Sequence, residues 1–273
     1  MSIQSMIRVT GRLAGHLSPT MAARLAENLA TRPRHLHRPR LKSTDLVGEW
    51  ITFRYGLKAR RWGKAGPVIL AIHGWEGHPD QFASMGHALA GLGYRFYALA
   101  GPGHVAGTGK EADPALFASA LQEVSVELGG EVAAVIGHSM GAGAALMALS
   151  DGLLTQRVVL ISGAAGFRSV LERTADQLGL PSRARQRFLR RMELRTGRSL
   201  AEVEAIDALP RVQQPVLVVH DRQDRIIPFA DFEQLQAKSP NAQFLATEGL
   251  GHSRILADEA VNRRIQAFLL PDR

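Results

Sequence analysis

Residues 131–150 read EVAAVIGHSMGAGAALMALS, and this stretch decides the fold. Its first half, EVAAVIGH, is an apolar run of strand length, and AGAALMALS after it follows a helical pattern. Between the two, Gly137-His138-Ser139-Met140-Gly141 must carry the chain from strand to helix within a few residues. The glycines permit a turn that sharp, which holds Ser139 exposed above a sheet with a helix N-terminus behind it. A serine presented in that way contributes chemistry rather than packing.

Outward from this unit, short apolar runs alternate with helical patterns, the signature of βαβ units and a mainly parallel sheet. WITFRYG (50–56) reads as an early strand; PVILAIHG (67–74), YRFYALA (94–100), RVVLIS (157–162), PVLVVHD (215–221) and AQFLATEG (242–249) read as later ones. Helices are predicted at about 80–92, 114–128, 140–150, 231–238 and 254–269, with Asp113-Pro114 an N-cap followed by proline at the first helical position. Residues 163–212 replace a short crossover with helical, Arg-rich sequence and read as an inserted cap. The core is thus expected at 46–162 and 213–273, behind an N-terminal arm and connector at 1–45. Within the arm, Ile3, Ile7, Leu13, Leu17, Met21, Leu25 and Leu29 recur at mostly helical intervals broken near Pro19, and TRPRHLHRPR (31–40) reads as an extended connector.

A serine hydroxyl is a poor nucleophile at neutral pH and needs a base held in one tautomer by an acid. Two strand ends downstream carry such groups: PVLVVHD runs into RQDRIIP, and AQFLATEG into LGHSRIL. With Ser139, Asp224 and His252 in that order, the chain over roughly 50–270 resembles an α/β-hydrolase of the bacterial esterase type. In such proteins the pattern HGxxDxxxP supplies the acid; His220 to Pro228 fits it except that Asp221 stands for the glycine. The register selects Asp224, and Asp221 is expected to cap the strand end or to pair with Arg222 or Arg225. The resemblance also implies oxyanion donors at the backbone N–H of Trp75 and Met140, and a substrate pocket near His73, Gly74, Phe167 and Ile227. Gly101-Pro102-Gly103-His104 resembles the loop pattern DxPGHGxS, with Ala100 and Val105 departing from it, and reads as pocket edge. His73 and His138 are expected to pack and hydrogen-bond beside the site rather than to transfer protons.

What the resemblance implies is hydrolysis of a small-molecule carboxylic ester through an acyl-serine intermediate. Thioester hydrolysis, lactone opening and acyl transfer use the same triad, and a non-catalytic ligand-binding protein could keep the fold. The 273 residues suffice for one large core. The absence of cysteine excludes disulfides, thiolate metal sites and cysteine nucleophiles. His35 and His37 lack a nearby third ligand, so no metal and no cofactor is expected.

The net charge of +8 is uneven. Residues 1–42 hold eight Lys/Arg against one acid, residues 163–198 nine Arg against three acids, and the remainder is acidic. That distribution argues against a nucleic-acid-binding face on the fold itself. No apolar run reaches the roughly 18 residues that span a bilayer, and the N-terminus does not read as a secretory signal, so a cytoplasmic location is expected. Contact of the basic arm with a membrane surface is a separate expectation. The arginines of 163–198 are expected either to favour anionic substrates or to lie on a solvated helix face. Oligomeric state has no signature in the sequence.

Overall fold

The computed structural model describes residues 2–34 and 47–270. His35 and His37 lie outside the described residues, as does most of the predicted connector. Eight strands form one sheet: β1 (Glu49–Thr52), β2 (Lys58–Trp62), β3 (Val68–Ile72), β4 (Arg95–Leu99), β5 (Glu131–His138), β6 (Leu154–Ile161), β7 (Val216–Asp221) and β8 (Gln243–Thr247). Their order is β1-β2-β4-β3-β5-β6-β7-β8, parallel except where β2 runs antiparallel to both β1 and β4. The fold is the expected α/β-hydrolase architecture.

Alternation within the central strands assigns side chains to two cores. Leu70, Ile72, Val135, Val158 and Leu160 point to one face, and Ile69, Ala71, Ile136, Val159 and Ile161 to the other. The first face is covered by α4 (Pro114–Glu127), α5 (Met140–Ser150) and α9 (Phe229–Lys238), the second by α3 (Ala83–Gly91) and α11 (Glu259–Leu269). A sheet buried on both sides needs near-continuous apolar strands, as the sequence of β3 and β5 supplies.

The strand expected at 50–56 ends at Thr52, and β2 at Lys58–Trp62 is a strand that the sequence reading did not include. The run 50–56 breaks at Arg54–Gly56, where Tyr55 (φ 58°) and Gly56 (φ 75°) both take left-handed conformations and turn β1 back onto β2. Tyr is a strand-forming residue, so composition there argued for continuity and hid the hairpin.

Between β6 and β7 lie α6 (Phe167–Gln177), α7 (Ser182–Thr196) and the short α8 (Ala205–Ala208). The arm forms α1 (Ile3–Leu17) and α2 (Pro19–Thr31), divided at Ser18, which caps α2 by accepting from the Met21 N–H. α1 packs on α6 and α7, and α2 packs on α7. The approach is close enough to need glycine: a Cβ on Gly11 would lie 1.8 Å from the Leu178 carbonyl oxygen, and one on Gly15 2.3 Å from the Pro181 ring. Arg195 closes the joint, its guanidinium 2.7 Å from Glu111, 3.1 Å from Asp113 and 3.8 Å from Glu27. Arg191 pairs with Glu27 as well.

The Arg-rich insert divides between arginines with a carboxylate partner and arginines on a solvated face. Arg168, Arg173, Arg185, Arg191, Arg195 and Arg198 each pair with a carboxylate, and so neither face a substrate as free charges nor sit unpartnered in solvent. Arg183, Arg187 and Arg190 are exposed and have no ion-pair partner among the described residues.

Candidate active site

Ser139 lies at the tight turn between β5 and α5 with φ 55° and ψ −120°, a strained conformation for a residue with a side chain. Such strain costs on the order of 1–3 kcal/mol and persists only where the surroundings fix it. Here its N–H donates to Ile161 of β6 (2.8 Å) and its carbonyl accepts from Ala142 (2.9 Å). Gly141 is required by clearance, since a Cβ would lie 2.5 Å from the Ile72 carbonyl oxygen. The hydroxyl of Ser139 is half-exposed and has no hydrogen-bond partner among the described residues.

Asp224 and His252, predicted from two separate strand ends, are joined: His252 Nδ1–H donates to Asp224 Oδ2 at 2.7 Å. The other carboxylate oxygen accepts from the N–H of Ile226 (2.8 Å) and of Ile227 (3.0 Å). Burial opposes the charge on Asp224, but the hydrogen bond and charge of His252 and those two N–H groups outweigh it and hold the pKa below the ordinary carboxylate value. Asp224 is therefore anionic at neutral pH. Fixing the proton of His252 on Nδ1 leaves Nε2 as the basic nitrogen.

Asp221 caps its strand end, and its partners are not arginines. Its side chain accepts from the N–H of Gln223 (3.0 Å) and Leu250 (3.0 Å) and from the Thr247 hydroxyl (2.8 Å), tying the loops after β7 and β8 together. Arg222 instead lies over the Phe229 ring.

Histidines brace the site. His138 Nε2–H donates to the carbonyl of His252 at 2.9 Å, so the residue before the serine fixes the backbone of the distant base. Burial, then the charge of nearby His252, lowers the His138 pKa to about 3, which keeps it a neutral donor. His220 Nε2–H donates to the Ile227 carbonyl (3.0 Å) under the Asp224 loop. His73 is fully buried; its Nε2 accepts from the Gly101 N–H (3.0 Å) while Nδ1–H donates to the Gly74 carbonyl (2.8 Å). His104 Nε2 accepts from the Glu76 N–H (2.9 Å), and Arg34 at the end of the arm holds the Glu76 carboxylate. Trp75 sits between these anchors, and neither its N–H nor that of Met140 has an acceptor among the described residues.

The alpha/beta hydrolase family profile matches residues 68–264. The chain belongs to that family. A pimeloyl-[acyl-carrier protein] methyl ester esterase of Xanthomonas oryzae pv. oryzae is 26% identical over 75% of this chain and 95% of its own length. An alpha/beta hydrolase enzyme from the sediment metagenome of the Mar Chica lagoon, Morocco, superposes with a TM-score of 0.61 at 18% identity, over 81% of this chain and 97% of that one. The thioesterase domain of the curacin biosynthetic pathway does so with 0.58 at 18%, over 82% and 98%.

Within this hydrolase the four predicted pocket residues fall in different places. Gly74 lies against the serine, where a Cβ would be 2.6 Å from the Ser139 Cβ and 3.0 Å from its Oγ. Phe167 opens α6, half-buried against the core. His73 and Ile227 are both buried; His73 Nδ1–H donates to the Gly74 carbonyl, and the Ile227 N–H donates to Asp224. A cleft of about 740 Å³ bordered by Arg32, Tyr55, Pro102, Lys110 and Leu116 includes none of Ser139, Asp224 or His252. Among the described residues no group of three His, Asp or Glu is placed to hold a metal ion. The roles of Thr247 and of the Leu250 N–H were missed, because a backbone donor and one threonine in a strand carry no sequence signature.

Proposed function

We propose that this hydrolase cleaves a carboxylic ester through an acyl-serine intermediate, with Ser139 as nucleophile, His252 as general base and Asp224 as the acid that orients it. The observation that carries the reading is the 2.7 Å bond from His252 Nδ1–H to an anionic Asp224 on the loops flanking the strained Ser139 turn. Nε2 of His252 takes the proton of Ser139 as Oγ attacks the ester carbonyl. The developing oxyanion is met by the free N–H groups of Trp75 and Met140, the latter at the N-terminus of α5. Collapse expels the alcohol, which leaves with the proton from His252. Water, deprotonated by the same imidazole, then attacks the acyl carbonyl, releasing the carboxylic acid and returning the proton to Ser139.

Similarity to a methyl ester esterase supports the ester as the bond cleaved; the acyl group of that relative is not carried over at 26% identity. The same steps serve a thioester, with thiol as leaving group. The test is a panel of chromogenic esters and thioesters of graded acyl length, run on wild type and Ser139→Ala, with fluorophosphonate labelling. Esterase activity lost in the variant by several powers of ten, with labelling confined to Ser139, is the expected result. An unlabelled Ser139, or a fully active Ser139→Ala, overturns the assignment.

A further inference from the structure

The two N-terminal helices bury their small residues and expose their large ones. In α2, Ala22, Ala23 and Ala26 face α7, while Met21, Leu25 and Leu29, spaced four apart, are each more than half exposed. In α1 the close contact with the insert is made at Gly11 and Gly15, and Ile3 (80%), Leu13 (61%) and Leu17 (87%) are exposed. An amphipathic helix of a globular protein does the reverse. The exposed faces adjoin along a groove of about 390 Å³ lined by Ile3, Met6, Ile7, Ala14, Leu25 and Leu29.

Charge is equally one-sided. Glu27 is the only acid of α1 and α2, and it is paired with Arg191 and Arg195. Arg8, Arg12 and Arg24, together with Arg183, Arg187 and Arg190 of α7, are exposed and have no ion-pair partner among the described residues. We propose that the apolar face of α1 and α2 docks on an anionic lipid bilayer, the helices lying in the plane of the interface. Aliphatic side chains enter the acyl boundary and the arginines meet the phosphate layer. At 1.5 Å per residue α1 is about 22 Å long, and no described helix is long and apolar enough to cross a membrane. A second copy is a poorer occupant, since face-to-face contact brings unpaired arginines together.

The test is co-sedimentation of the full chain with vesicles of phosphatidylcholine plus phosphatidylglycerol, and of phosphatidylcholine alone, at low and high salt. Binding to the mixed vesicles that weakens with salt and weakens further on the neutral ones is expected. Leu13→Gln with Leu25→Gln lowers the partition coefficient at least about tenfold, by the loss of buried apolar area, with melting temperature and circular dichroism unchanged. Ile3→Gln with Leu17→Gln, at more exposed positions, repeats the test should the first pair disturb folding. Arg8→Gln with Arg12→Gln weakens binding to anionic vesicles only. Absence of binding, binding indifferent to both leucine-containing pairs, or a lipid-free dimer that these pairs convert to monomer overturns the proposal.

Discussion

Gly74→Ala tests the geometry of the site more sharply than removal of any triad residue. The added Cβ would lie 2.6 Å from the Ser139 Cβ, 3.0 Å from its Oγ and 3.1 Å from the His138 carbonyl oxygen. Carbon atoms in contact need about 3.5–4.0 Å, so roughly 1 Å of movement is demanded. Ser139 cannot supply it, since its N–H and carbonyl are fixed to Ile161 and Ala142 and its backbone is already strained. The loop carrying Trp75 must yield, which carries the Trp75 N–H away from the position of the oxyanion. Loss of one such donor costs about 10²- to 10³-fold in kcat. Overpacking itself costs about 1–3 kcal/mol, within the reserve of a domain of this size. The assay is kcat and KM on a soluble chromogenic ester beside the melting temperature. A kcat within a few fold of wild type, in a protein that melts normally, refutes the proposed role of the Trp75 N–H as an oxyanion donor.

Asp224→Asn should lower kcat by about 10⁴ with the fold retained, because the imidazole loses the partner that fixes its tautomer. Asp221→Asn should instead lower the melting temperature and weaken the acid dependence of stability below about pH 4, with kcat far less affected. The sign follows from a depressed folded pKa: the contribution of Asp221 is present above the unfolded carboxylate value and is lost as pH falls through the folded one. His138, folded with a pKa of about 3, binds its proton more readily in the unfolded chain, so stability is full above about pH 6.5 and falls as pH drops towards 3. Denaturant titrations between those limits should show a shallower slope in His138→Gln, with His73 and His220, lowered for the same reason, retaining the rest. Parallel curves would contradict this. Arg195→Ala leaves Asp113, 3% exposed, without its cation, and should cost about 2 kcal/mol, or about 5 °C in melting temperature, with faster proteolysis of the arm.

Where backbone geometry follows from residue type, the chain was legible. The strand-turn-helix unit at 131–150 and the break at Pro19 rest on local signals of glycine, proline and periodicity, whereas the pairing of Asp224 with His252 was expected from the order that the resemblance implies. The β1–β2 hairpin was hidden because its turn uses Tyr55 at positive φ, a choice stabilised by sheet pairing rather than by the residue. The pairing of Arg191 and Arg195 was not legible because an ion pair spanning 82 or 164 residues has no local trace. The hydrogen bonds of His73 and the N–H of Ile227 to the backbone and carboxylate around the site needed coordinates, since adjacency in sequence does not tell a wall from a support. Of the oxyanion donors, the residue numbers came from resemblance, and the braces beneath them, His104 and Glu76, needed coordinates.

The joint between α2 and α7 also has a consequence in time. Arg191 and Glu27 are 164 residues apart in the chain. During synthesis at about 5–20 residues per second, α1 and α2 emerge roughly 8–30 s before α7 does. Through that interval the arm displays its alanine stripe as well as its leucines, with Glu27 unpaired. Docking of α1 and α2 therefore waits on a helix made more than 160 residues later, and until then their apolar side chains have no partner on the insert.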